Sequence, residues 1–496
     1  MAEISIKDGV YIGRTKIMSD EPEITSGNVE IVLKESLTTH WKNSSDIDYL
    51  YNYYKGEQPI LNRVKVIRPE ITNKIVENRA NEIVSFKVGG LCGEPLQYVS
   101  RGSTDAISNG INKLNDLMLL CGKSSLDKEL IEWAYIGGTS YRMVMPNSGY
   151  INSEIVPRLK NRRTDFSEDE APFEIYTLDP RYSFVVYHSG LGEKPLMGVK
   201  YVVRNDGSIV YSVYTNDKYY EFTALAPFDV FKKTIETTRS FSDIPIIEYP
   251  LNNARLGAFE IVLPILDAIN TVQSNRLDGI EQFVQSLIVL VNSEIDEDKA
   301  KLLREAGLIT LKSYGENKPD IKIIAEELDQ QQTQTLVDYM YQTVLNIAGM
   351  PNRNGGSSTS DTGSAVVMRD GHSSAESRFK SDELMVKESE RKFLKLILKM
   401  LRSTIGTTLK LADIETKFTR RNYENGLSKS QILTTMLAND KIAPALAFAQ
   451  CGMFSDPEDA AKMSAEHYEK VKKEGDVITG DRAEVQEVSQ ASVQNE

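Results

Sequence analysis

Residues 259–292 read FEIVLPILDAINTVQSNRLDGIEQFVQSLIVLVN. Apolar side chains recur at 262, 265, 266, 269, 272, 280, 283, 287 and 288, a spacing that predicts one long helix. Asp267, Asn270, Ser274, Asp278 and Glu281 form its polar face. At 1.5 Å per residue such a helix runs on the order of 45–50 Å, and Pro264 is expected to bend it near its start.

The segment after that helix is short and mixed. Residues 293–324 begin with the acidic SEIDEDKAKLLREAG and then carry the strand-like LITLKS and DIKIIA. A second helix is expected over 326–349, with Leu336, Val337, Met340, Tyr341, Val344 and Leu345 on one side. It runs into AGMPNRNGGSSTSDTGSAVVMRDG (348–371), where proline, glycine, serine and threonine predict a loop. Residues 364–403 then read as another long helix whose last turns are rich in Leu, Ile and Met. Two helices thus bracket a small α/β tip, and a flexible loop leads to a third.

The amino-terminal half has a different texture. Helices are expected over 29–55 and 69–86, the second with Ile71, Ile75, Ala80, Ile83 and Val84 along one stripe. GGLCGEPLQYVS (89–100) is expected to break that helix and enter a strand. LDKELIEWAYIGGTSYRMVMP (126–146) reads as helix, glycine turn and strand. Residues 173–250 alternate apolar and polar side chains, with Asp206-Gly207 as a hairpin turn and IPIIEYPLNN (244–253) closing the part. KNRRTDFSEDEAP (160–172) reads as a long loop between strands. Residues 1–255 are therefore expected to be one mixed α+β domain. Towards the carboxyl end, 414–426 reads as an extended strand. Two capping boxes, Ser428 with Gln431 and Ser455 with Glu458, announce further helices before a polar acidic tail at 475–496.

Bulk properties narrow the function. The 496 residues are 41% hydrophobic and 26% charged, ordinary for a folded soluble protein. No run approaches the roughly 18 apolar residues of a membrane span, and MAEISIKDGV lacks the pattern of a secretion signal, so folding in the cytoplasm is expected. Cys92, Cys121 and Cys451 are scattered without a CxxC, which argues against structural zinc. The net charge of −13 argues against a tight grip on duplex DNA, because phosphates are held by Lys and Arg.

Catalytic patterns are missing. GGSSTSDTGSA has no lysine for a phosphate loop and comes after a helix, where such a loop comes after a strand. There is no G-x-S-x-G elbow and no HExxH. His40, His188, His372 and His467 are far apart in sequence and are expected to be surface or packing residues. Asp296 and Asp298 start like a calcium loop but lack its later Gly and Glu. No active site and no cofactor are expected.

The order of these segments resembles the portal protein (head–tail connector) family of tailed bacteriophages, nearest to the branch of long-tailed phages of Gram-positive bacteria. YNYYKGEQPI (51–60) with ITNKIVENRANEIVSFKVGGLCGEPLQY (71–98), IPIIEYPLNNARLGAFEIVLPILDAINTVQSNRLDGIEQF (244–283), SSTSDTGSAVVMRD (357–370) and FTRRNYENG (418–426) carry the likeness. It spans about residues 30–480.

The resemblance implies a predominantly helical, mixed α+β, elongated subunit in a ring around a central channel. The ring would hold twelve subunits, or thirteen in isolation. It implies a wing with an amino-terminal arm (1–255), a first stem helix (256–292), a clip (293–324) and a second stem helix (325–350). A tunnel loop (351–363), a long wing helix (364–404), a crown (405–474) and the tail (475–496) would come next. The tunnel-loop residues expected to face DNA are Asn352, Arg353, Asn354, Gly355, Gly356, Ser357, Ser358, Thr359, Ser360 and Asp361.

Glu326, Glu327, Asp329 and Asp338 are expected to make the channel wall acidic, and so slippery to DNA. From 323 to 364 there are five acids and one base. Lys299, Lys301, Arg304, Lys312, Lys318 and Lys322 are clip residues expected near the channel exit. The implied partners are other copies of the chain, passing double-stranded DNA in weak non-specific contact, the terminase, the head–tail adaptor, scaffolding protein and the major capsid protein. No membrane is implied. The implied location is a capsid vertex of the virion, after assembly in the bacterial cytoplasm. The alternatives in a different class are an adaptor or minor head protein, and a packaging enzyme, which lacks its motifs here.

Overall fold

A computed structural model describes residues 13–66, 68–101, 104–147, 170–226, 230–239, 241–284, 287–291, 320–324, 330–351, 372–418, 426–454 and 457–472, with the strand pair 6–7 and 10–11. In chain order the elements are β1 (Ile6–Lys7), β2 (Val10–Tyr11), β3 (Ile17–Ser19), α1 (Val29–Lys55), α2 (Arg79–Cys92), β4 (Gln97–Ser100), α3 (Asp105–Leu120) and α4 (Lys123–Gly137). Then come β5 (Thr139–Pro146), β6 (Phe173–Leu178), β7 (Ser183–His188), β8 (Pro195–Val203), β9 (Ile209–Tyr214), β10 (Lys218–Ala224), β11 (Lys232–Thr238) and β12 (Ile246–Pro250). The rest are α5 (Leu263–Val284), β13 (Leu287–Val291), β14 (Asp320–Ile324), α6 (Gln330–Ala348), α7 (His372–Thr404), β15 (Ile414–Lys417), α8 (Gly426–Leu437) and α9 (Pro444–Cys451). A last helix, α10, covers 457–472. The chain forms two compact units: Met1–Tyr51, Ile83–Glu260 and Gly349–Glu496 make the first, Asn52–Glu82 and Ile261–Ala348 the second.

The first unit is built on a six-stranded sheet of order β11-β10-β9-β8-β7-β3, with β3 parallel to β7 and the other pairs antiparallel. Strands β9 and β10 bury every second side chain. In β9, Ile209, Tyr211 and Val213 point into the core while Val210, Ser212 and Tyr214 are half-exposed, the pleat's period of two. Val29, Val32, Leu33 and Leu37 of α1 belong to the same core. The predicted hairpin joins β8 to β9, and Gly207 adopts φ +82° there, a conformation that glycine reaches without strain. A three-stranded sheet, β12-β5-β6, and the pairs β15-β4 and β1-β2 complete the described β structure of this unit.

Four charged side chains are buried together in it. Lys123 reaches Asp127 at 2.7 Å and Glu390 at 2.8 Å, and Arg142 contacts the same two carboxylates. Tyr98 and Tyr249 both donate their hydroxyls to Glu390. Two cations face two anions, so the burial carries no net charge. That balance is the condition under which ions are tolerated away from water.

Four expectations about local structure need correction. Helix was expected from 69, but residues 72–78 are irregular and helix starts only at Arg79. Ile71, Thr72, Ile75 and Val76 are β-branched and stiff, which favours extended backbone here over helix. Secondly, Gly89 and Gly90 do not break α2, which continues to Cys92. Gly90 makes room for α7: a Cβ on it would lie 2.1 Å from Cζ of Phe379. Thirdly, the first long helix ends at Val284, and 287–291 is a strand paired antiparallel with β14, Leu287 opposite Ile324. The unbroken β-favouring run LIVLV suits a strand at least as well as the helical period that leads into it. The helix is therefore roughly 33 Å long. Pro264 sits in its first turn, where a missing N–H removes no helical bond. Ser428 lies inside α8 and does not cap it, while Ser455 lies outside the described residues. Residues 148–169, with most of the expected loop at 160–172, also lie outside them.

Candidate functional site

The second unit holds the helix–tip–helix segment that the sequence singled out. Helices α5 and α6 pack against each other, and β13 and β14 pair between them in the chain. On α5, Leu266 and Ile269 are buried, as the period predicted. The polar line beside them is buried as well: Asn270 and Ser274 are fully buried and Asp278 nearly so.

These side chains receive the backbone of 73–77. The N–H of Asn73 donates to Asp278 at 2.8 Å, that of Ile75 to the Ser274 hydroxyl at 2.9 Å, and that of Glu77 to the Asn270 side-chain oxygen at 2.8 Å. Every second residue of the segment thus meets every fourth residue of the helix. The repeats match because two extended residues advance about 6.6 Å and four helical residues about 6 Å. Without these acceptors, N–H groups that form no ladder would be left short of partners beside a helix, at a cost of about 1–3 kcal/mol each.

Further polar contacts fasten the segment. Arg63 and Lys65 each reach Asp278 at 3.0 Å. Burial pushes the Asp278 carboxyl up, but the Asn73 N–H and the two cations outweigh it and hold it below the usual range. Asn270 donates to Gln58, and the Tyr53 hydroxyl donates to Asp267 at 2.9 Å. The Arg79 guanidinium lies 4.1 Å from the ring centre of Tyr341, whose hydroxyl donates to Glu82 at 2.9 Å.

The expected DNA-facing residues divide sharply. Asn352 to Asp361, Glu326, Glu327 and Asp329 lie outside the described residues, as do Lys299, Lys301, Arg304, Lys312 and Lys318. Lys322 lies on β14, its backbone opposite Val289. Asp338 is on α6, half-buried, and accepts from Gln334 at 2.7 Å. Gln334 in turn accepts from Arg276 of α5 at 2.8 Å. The acid is therefore part of a bridge between the two helices. In the apolar stripe predicted for α6, Val337, Val344 and Leu345 are buried, whereas Leu336 is 49% exposed.

Among the described residues no cluster of three His, Cys, Asp or Glu side chains could hold a metal ion. His40 is buried against Phe184, with ring centroids 4.4 Å apart, and its Nε2 lies 3.1 Å from both the Arg181 carbonyl and the Tyr201 hydroxyl. Burial lowers its pKa to about 3, so the ring stays neutral and serves packing. Burial likewise pushes the Cys92 thiol up to about 12 and the Cys121 thiol up to about 11, far from nucleophilic. No described helix is long and apolar enough to cross a membrane.

The ladder of Asn270, Ser274 and Asp278 is not evident from the sequence, where that line has the look of an ordinary polar face. One signal was available: the line holds short side chains able to accept hydrogen bonds, and no lysine or arginine.

A family model described as phage portal protein, SPP1 Gp6-like, matches residues 33–476. No curated protein sequence matches the chain. Among solved structures, a chain from the neck of an empty GTA particle, computed with C6 symmetry, aligns with a TM-score of 0.44 and 11% identity. That alignment covers 83% of this chain and 94% of the other. A chain from the neck of a native GTA particle, computed with C12 symmetry, gives 0.41 and 12%, over 76% and 89%.

Proposed function

The chain belongs to the SPP1 Gp6-like phage portal protein family, and from that premise we propose that twelve copies close into a ring around a channel for double-stranded DNA. The single observation behind this reading is the family match, which runs from α1 to the end of α10. The protein is a portal component of a phage virion. The host is a Gram-positive bacterium, and the phage is of the long-tailed type. Assembly takes place in the bacterial cytoplasm, and the ring comes to occupy one vertex of the head.

In this reading α5 and α6 are the stem, and β13 and β14 belong to the clip that meets the head–tail adaptor. Residues 352–361 form the tunnel loop and brush the DNA. They suit that task because they are small and nearly uncharged. Glu326, Glu327, Asp329 and Asp338 contribute a negative wall, repeated around the ring, from which phosphates are repelled. Lys299, Lys301, Arg304, Lys312, Lys318 and Lys322 lie towards the exit. The ring itself is passive: the terminase drives DNA through it, and scaffolding and major capsid proteins build the head around it. The segment 69–78, fastened along α5, keeps the stem helix from sliding when DNA moves.

Native mass spectrometry of the purified chain, with negative-stain class averages, tests this. The expected result is a closed ring at twelve or thirteen times the 55.7 kDa chain mass, with a central hole. A compact dimer or tetramer without a hole would overturn it.

A further inference from the structure

The helices that end the chain are unusual in where they place charge. Residues 426–454 contain three charged side chains, Lys429, Asp440 and Lys441, in 29 positions, against 26% for the whole chain. Lys429 is 8% exposed, with its ammonium 3.5 Å from the Gly452 carbonyl, and the other two sit in the connection between helices. The solvent-facing surfaces of α8 and α9 are therefore free of charge. They nonetheless expose Ile432, Leu437 and Leu446, the last at 61%.

Helix α10 is open to solvent over most of its surface, its apolar side included. At 100° per residue, Ala460, Ser464, Tyr468 and Val471 share one face, while Glu458, Lys462, Glu466 and Glu469 share the opposite one. Lys462, on the charged face, binds Asp105 at the start of α3 at 2.7 Å. Tyr468 is 70% exposed, and Val471 and the neighbouring Met463 are also open to solvent. An amphipathic helix normally buries its apolar stripe, whereas beyond the half-buried Ala460 and Ala461 this one leaves its stripe uncovered.

We propose that the uncharged outer face of α8 and α9, together with the apolar stripe of α10, is where one copy of the chain meets the next. This rests on the ring reading above and says which surface closes the ring. Charge selects the occupant. DNA requires lysine or arginine at its contact surface, and this face offers none. Copies that each carry a net charge of −13 repel one another, and like charges at a contact are costly, so they join best where both surfaces are neutral. Exposed apolar patches rimmed by polar residues are the usual mark of such contacts.

The test places charge where the isolated chain leaves room for it. Leu446→Glu and Tyr468→Glu, singly and together, are compared with Leu191→Glu, a fully exposed control in the turn after β7. Sedimentation velocity reads the assembled fraction, and circular dichroism with thermal melting reads the fold. The proposal expects unchanged melting, a ring fraction lowered about tenfold or more in the double variant, and no change in the control. Wild type and double variant assembling equally would overturn the proposal and leave the ring reading standing. A wild-type chain that forms no higher assembly would remove both. A wild-type chain that stays monomeric while another virion protein binds this face would also overturn the proposal.

Discussion

In the first unit Lys123, Asp127, Arg142 and Glu390 balance charge against charge in a dry interior, whereas in the second unit Asn270, Ser274 and Asp278 balance side chains against backbone N–H groups. The difference lies in what can be replaced. A complete set of buried ions can in principle give way to apolar residues of the same volume, often without loss of stability. Backbone donors cannot be mutated away, so the acceptors on α5 are fixed by the geometry of the segment they hold. The first arrangement fastens side chains of α4, β5 and α7 in one core. The second fixes the register of an extended segment along a helix.

Breaking the first arrangement gives the largest effect. Glu390→Ala strands Lys123 and Arg142 and removes the acceptor of two tyrosine hydroxyls, so a loss of about 3–5 kcal/mol is expected in urea unfolding. A loss below about 1 kcal/mol would mean that water reaches the cluster.

Acid reads the same residue without mutation. Burial pushes the Glu390 carboxyl up, but Lys123 and Arg142 outweigh burial and bring it down to about 2. A folded pKa below the unfolded value of about 4.3 stabilises the protein above that value. The contribution, on the order of 3 kcal/mol, should fade as pH falls from about 4.3 towards 2. Urea midpoints across that range should fall more steeply in the wild type than in Glu390→Gln, which keeps only the contribution of other carboxylates such as Asp278.

The second arrangement yields smaller steps. Asp278→Ala leaves the Asn73 N–H and two cations short of a partner, with an expected cost of about 2–3 kcal/mol. Ser274→Ala removes one rung and should cost about 1–2 kcal/mol. Hydrogen exchange distinguishes the two: Ser274→Ala should speed exchange at Ile75 more than at Asn73 or Glu77. Uniform acceleration would show that the segment opens as one piece. Asp338→Asn keeps an oxygen for Gln334 and should shift unfolding by less than about 0.5 kcal/mol. A large shift there would make Asp338 part of the structural frame and count against its proposed place in the channel wall.

The sequence was most readable where partners are close along the chain. The predicted bounds of α1, 29–55, coincide with the observed ones, and Asp206-Gly207 sits in the expected hairpin. Both arise from local periodicity and turn chemistry. It was least readable where partners are distant. The acceptors for 73–77 come from about 200 residues further on, so nothing local marked that segment as extended. Arg142 lies in a strand whose buried partner Glu390 is 248 residues away. Gly90 of α2 reads as a break because the phenyl ring that needs its space belongs to α7. Of the candidate channel residues, Asp338 alone has a described side chain, and its contact with Gln334 is an i, i+4 pair that spacing does reveal.

The central claim is that DNA passes this chain at the loop between α6 and α7. The most direct measurement places a photoreactive side chain at Ser358, or at Leu191 as a control, in particles assembled during packaging, and maps the cross-links to DNA. Cross-linking at Ser358 with none at Leu191 is the predicted result. Cross-linking at Leu191, or at neither position in particles that have filled with DNA, would contradict the claim.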